Sequence, residues 1–165
     1  MIYIALDPSL NVTGYAVLDS ERKDVDRLLF AGQFTSKGET DEERLESLYV
    51  GLWDNILSRL PVIDDAVVYI ECPTGWSFAR SRGAGGRMLN QVALQKNCLA
   101  VGVIFALFRG HDCDVKFISP AEWKGRASKI QTSQVAELIY RVKVGEHARD
   151  AIAMGHRLMC ERRAG

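Results

Sequence analysis

The sequence predicts an α/β domain on a five-stranded mixed sheet, with its elements in the order βββαβαβαα. Three observations carry that reading. Residues 1–35 hold three β-prone runs joined by short turns, the pattern of an antiparallel meander. Beyond them, helical spacing alternates with short, wholly apolar runs, as in strands covered on both faces. No repeat, linker or low-complexity tract interrupts the chain, so residues 1–165 form a single domain.

Ile2–Leu6 is apolar and β-prone, and Asp7-Pro8-Ser9-Leu10-Asn11 is turn-like. Thr13–Leu18 is the returning second strand and Leu28–Phe34 the third, with Gly32 marking a bulge. Thr40 or Asp41 caps a helix whose apolar positions are Leu45, Leu48, Leu52, Ile56 and Leu60, and Pro61 stops it. Ala66–Ile70 reads as a central strand. Gly75–Gly86 is a loop rich in glycine, arginine and aromatic residues, and a long helix over Met88–Phe108 follows it. Val115–Ile118 is the fifth strand. Helices near Ser128–Val142 and Glu146–Arg162 complete the order.

Hydrophobic residues make up 47% and charged residues 25%, a globular rather than a disordered composition. The longest apolar run, Leu99–Phe108, falls short of the ~20 residues of a membrane span, so no membrane partner is expected. The N-terminus shows no secretory signal, and Cys72, Cys98, Cys113 and Cys160 form no CxxC pair. Both features predict a reduced, cytoplasmic protein. Nucleotide-binding glycine motifs are absent. His111-Asp112-Cys113-Asp114 reads as a turn between a helix and a strand.

The net charge of zero hides a segregation. Residues 1–71 hold 14 acidic and 6 basic side chains, and residues 72–165 hold 7 and 15. The stretch Cys72–His111 has no acid and carries Arg80, Arg82, Arg87, Lys96 and Arg109. Such segregation can build a face that attracts a polyanion. In the Gly75–Gly86 loop, Trp76 and Phe78 stand just ahead of Arg80 and Arg82. Aromatic residues stack on unpaired bases while arginines hold phosphates.

Two acids close apolar strands: Asp7 the first, Glu71 the fourth. A carboxylate there is costly unless it emerges into a site. If the two strands are parallel neighbours, both acids reach the same sheet edge, where parallel sheets place ligands. His147 and Asp150 lie three residues apart, on one face of a helix start. The following Ala151, Ile152, Ala153, Met154 and Leu158 suit that helix to pack on the sheet. The set is rich in hard oxygen donors and suits Mg²⁺ or Mn²⁺. Two such ions activate water and stabilise the leaving oxygen of a phosphodiester. Taken singly, each acid also has a structural reading as a turn cap, an ion-pair partner or a helix N-terminal charge.

These motifs have a precedent. Ala5-Leu6-Asp7-Pro8-Ser9-Leu10-Asn11-Val12-Thr13-Gly14-Tyr15 resembles the opening of the RuvC family of Holliday-junction resolvases. Val68-Tyr69-Ile70-Glu71 resembles that family's Ile-Glu strand end, and His147-Ala148-Arg149-Asp150-Ala151-Ile152-Ala153 its closing helix. The likeness runs to about residue 160, in the family's order. It implies a ribonuclease-H-like fold in which Asp7, Glu71 and Asp150 are metal-binding acids. His147 stands where many members have another Asp. The resemblance further implies two Mg²⁺ ions per site, with Mn²⁺ as a substitute. Lys124 and Lys129 match basic positions that steady a phosphate; Arg126 is a candidate DNA contact with no motif behind it. Ser128 caps the helix after them. Trp76 or Phe78 corresponds to an aromatic wedge at the junction centre, with Arg80, Arg82 and Arg87 on the DNA.

The implied activity is resolution of four-way junctions by paired symmetric nicks, leaving 5′-phosphate and 3′-hydroxyl ends. A two-fold junction calls for a homodimer, and the apolar helix over Leu89–Phe108 is the candidate interface. The setting would be the nucleoid, or the host cytoplasm for a phage protein. No sequence feature supports a branch-migration motor as partner. Two alternatives stay open: a ribonuclease-H-like nuclease on flaps or RNA–DNA hybrids, and a catalytically silent junction binder.

Overall fold

The computed structural model describes residues 1–72, 91–125 and 129–164. Strands β1 (Ile2–Asp7), β2 (Val12–Asp19), β3 (Leu28–Thr35), β4 (Val67–Glu71) and β5 (Asp114–Ile118) form one sheet. Their order is β3-β2-β1-β4-β5. The first three strands pair antiparallel, and β1–β4 and β4–β5 pair parallel, as the meander and the later apolar strands predict. The turn after β1 is built by short polar side chains. Ser9 Oγ accepts from the backbone N–H groups of Asn11 and Val12 at 3.1 and 3.0 Å. The fully buried Thr13 hydroxyl donates to the Ser9 carbonyl at 3.1 Å. The irregularity in the β2–β3 pairing falls between Val17 and Leu18, so Gly32 marks no bulge. Gly32 answers a space requirement instead, since a Cβ there would sit 2.7 Å from the Tyr15 hydroxyl.

Helix α1 (Asp41–Asn55) starts on a capping box between Thr40 and Glu43. It ends before Pro61, and a 3₁₀ turn over Leu57–Arg59 takes up the remaining chain. Helix α2 (Gln91–Arg109) precedes β5. The sequence reading missed α3 (Pro120–Lys124), which has its own capping box between Ser119 and Glu122 and a proline in its first turn. Helix α4 (Lys129–Gln134) runs into a π-helical turn over Val135–Ile139, so the helix expected to reach Val142 ends early. Helix α5 (Glu146–Ala164) closes the fold.

Each face of the sheet has its own core. Ile4, Leu6, Val17, Val68 and Ile70 pack with Leu48 and Leu52 of α1 and Ala100, Ile104 and Phe108 of α2. On the other face, Tyr3, Ala5, Ala16, Val67 and Tyr69 pack with Trp123 of α3 and Ala151, Ile152 and Met154 of α5. Val92–Arg109 is long and apolar enough to cross a membrane, which corrects the reading drawn from the Leu99–Phe108 run. In this fold Ala100, Ile104 and Phe108 of that helix are fully buried in the core.

Candidate active site

Side chains alternate across a strand, so Asp7 falls on the face of Tyr3 and Ala5, and Glu71 on the face of Val67 and Tyr69. That is the face α5 covers. The parallel register pairs Leu6 with Ile70, which sets Asp7 and Glu71 side by side at the strand ends. Gly14 faces Asp7 across the β1–β2 ladder. A Cβ at Gly14 would overlap the carbonyl carbon and oxygen of His147. Both are backbone atoms that cannot swing aside. Only glycine lets the first turn of α5 lie this close to the strand, and that close approach brings His147 and Asp150 to the two strand acids.

Each carboxylate has a protein partner. Asp7 Oδ2 lies 2.6 Å from His147 Nδ1. That hydrogen bond is the main cause raising the His147 pKa above the ordinary histidine value, and burial opposes it. Glu71 Oε2 accepts the indole N–H of Trp123 at 2.6 Å. Asp150 Oδ2 pairs with Lys124 Nζ at 2.7 Å, with side chains 17% and 25% exposed. Burial, and then the charge of Asp7, push the Glu71 carboxyl up to about 7, while the Trp123 N–H and the Lys124 ammonium pull it down.

The structure thus brings Asp7, Glu71, His147, Asp150 and Lys124 to one end of the sheet. Lys129 opens α4, and its side chain lies outside the described residues. Trp76, Phe78, Arg80, Arg82, Arg87, Arg126 and Ser128 also lie outside them. Sequence reasoning missed Trp123 and Arg157. The Arg157 guanidinium donates to the Trp123 carbonyl at 2.5 Å and to Glu161 at 2.7 Å. The available signal was the Ser119-Pro120-Ala121-Glu122 cap, which sets Trp123 and Lys124 at the end of a single helical turn.

Among the described residues, no three acidic, imidazole or thiol side chains already form a metal cage. The donor chemistry nonetheless fits a hard divalent cation. Three carboxylates from β1, β4 and α5 share one sheet end, and the charges of Asp7 and Asp150 both raise the Glu71 pKa. A cation would relieve that repulsion.

No protein-family model matches the sequence, and no curated protein does either. Solved structures do. The chain superposes on Thermus thermophilus RuvC in complex with a Holliday junction substrate, with a TM-score of 0.75 and 16% identity, over 100% of this chain and 96% of that one. This chain has the RuvC fold. A structure of T. thermophilus RuvC alone gives a TM-score of 0.70 at 17% identity, over 99% and 97% of the two chains. The likeness carried by three short motifs therefore extends to the whole ribonuclease-H-like architecture. In this chain the closing helix lies chiefly over β1, β2 and β3.

Proposed function

We propose that this chain is a metal-dependent endonuclease that resolves four-way DNA junctions by paired symmetric nicks, leaving 5′-phosphate and 3′-hydroxyl ends. One observation carries the reading: Asp7, Glu71 and Asp150 converge at one sheet end, in a fold shared over its whole length with T. thermophilus RuvC bound to a junction. The residues that would hold Mg²⁺ or Mn²⁺ are those three acids, with His147 beside Asp7. When bound, such ions supply a water nucleophile at neutral pH and stabilise the leaving oxygen. His147 orients Asp7 through Nδ1. Lys124 supplies a compact positive charge at the mouth of the site, suited to a phosphate once it leaves Asp150. The basic balance of residues 72–165 favours DNA on that half of the chain.

Paired cuts require two sites, and we include a homodimer in the proposal. The outer face of α2 exposes Val92, Leu99 and Phe105, and the Phe105 ring lies 5.4 Å from that of Phe117 on the edge strand β5. A second copy would cover this apolar patch.

The test compares wild type with Asp7→Asn on a labelled synthetic junction and on linear duplex, flap and RNA–DNA hybrid, in EDTA, Mg²⁺ and Mn²⁺. Symmetric metal-dependent nicks in the junction are expected, lost in Asp7→Asn while junction binding persists. Binding without cutting in any metal would make the protein a silent binder. Equal cutting of duplex, flap or RNA–DNA hybrid would make it a general nuclease. A monomer by light scattering under cutting conditions would overturn the dimer.

A further inference from the structure

We infer that Trp123 is a positioning residue that holds one oxygen of Glu71 in a hydrogen bond, biases that carboxylate to ligate the metal through its other oxygen, and so tunes which divalent cation the site accepts. The inference rests on the reading of Glu71 as a metal ligand. A carboxylate can ligate through one oxygen or chelate through both. Here Oε2 receives the Trp123 indole N–H at 2.6 Å. An indole N–H only donates, so it can neither exchange roles nor itself become a ligand.

The donor is also fixed in place. Trp123 is 2% exposed and packs in the core under α5. Its carbonyl accepts from Arg157 of α5. The helix that carries it is closed at its start by the Ser119–Glu122 capping box and at its end by Gly125, at φ +54°. The indole is held in the core, so one lone pair of Glu71 Oε2 stays occupied and Oε1 is the less encumbered donor.

This constraint favours the smaller ion. Mg²⁺ is bound through one or two carboxylates and keeps several waters, whereas Ca²⁺ gathers 6–8 oxygens and commonly uses bidentate carboxylates. A Glu71 biased towards one oxygen suits the first coordination habit better than the second.

The test titrates Mg²⁺ and Ca²⁺ by calorimetry, without DNA, into wild type, Trp123→Phe, Glu71→Gln and the double variant. Phenylalanine keeps most of the buried ring and removes the donor. The ratio of Ca²⁺ to Mg²⁺ affinity is expected to rise about tenfold or more in Trp123→Phe, the scale on which a group behind a ligand acts. The rise should vanish when Glu71→Gln is the background. If Trp123→Phe does not fold by circular dichroism, Arg157→Ala loosens the Trp123 carbonyl with the indole present and should move the ratio the same way, by less. An unchanged ratio, or equal loss of both ions, would overturn the inference and leave Trp123 a packing residue. A wild type that binds neither ion would overturn the metal reading along with it.

Discussion

The two faces of the sheet are packed by different rules. Under α1 and α2 the core is made of large aliphatic side chains, with Leu48, Leu52, Ile56 and Ile104 fully buried. Under α5 large side chains such as Leu18, Ile152 and Met154 also pack, but small ones set the closest approaches: Ala5 and Ala16 on the strands, Ala148 and Ala151 on the helix, and Gly14 and Gly155. Large side chains remove more apolar area from water and so contribute more stability. Small ones let a helix axis come close to the sheet. The first face sustains the fold, and the second sets the separation of His147 and Asp150 from Asp7 and Glu71. Catalytic geometry is sensitive at that scale, since misplacement by 1 Å can cost about 10²-fold in rate.

The sharpest way to break this contrast is Gly14→Ala. The new methyl meets the His147 backbone, so the start of α5 must shift. Junction cutting is expected to fall about 100-fold or more, and overpacking should cost about 1–3 kcal/mol in denaturant unfolding. Leu52→Ala probes the opposite face. It should cost about 2–5 kcal/mol while the folded protein, assayed well below its melting temperature, cuts at the wild-type rate. Gly155→Ala is milder than Gly14→Ala, because the added Cβ meets the mobile end of Leu18 at 2.6 Å rather than backbone. A loss of about 1 kcal/mol with little change in cutting is expected.

A separate effect, set by charge rather than by packing, is one of pH on the metal-free protein. Glu71 titrates near 7 in the fold and near 4.5 when unfolded. Between those values the native state holds a proton that the unfolded chain has lost. Stability therefore declines as pH rises through that window, and the penalty is complete above 7. His147, raised above 6.5, acts in the same direction, since its added stability is present below that value and is lost as pH rises through its folded pKa. Melting temperature should fall by about 5–10 °C between pH 5 and 8. Glu71→Gln should shrink that slope, as should saturating Mg²⁺. A slope unchanged in Glu71→Gln would mean that Glu71 is ionised throughout.

Much of the site was legible because its residues contradict their surroundings. Asp7 and Glu71 each end an apolar run, and the parallel pairing of β1 with β4 completed that argument. His147 and Asp150 were legible from their three-residue spacing. Other features had no local signature. Five residues of α3 are too few to show a helical period. Trp123 looks like any core aromatic, because its bond to Glu71 spans 52 positions of sequence. Gly14 was visible as a motif letter, but the steric reason for it lies on α5. The π-helical turn after Gln134 interrupts apolar spacing that reads as continuous helix.

The Asp7–His147 contact joins residues 140 positions apart. Closing a loop of that length costs more chain entropy than forming the local turns of the meander. Synthesis runs from the N-terminus, so a growing chain carries Asp7 and Glu71 long before it has the helix that completes the set. The site proposed for cutting is therefore incomplete until α5 has been made and docked. A half-made chain on its ribosome carries Asp7 and Glu71 without the helix that brings His147 and Asp150 to them.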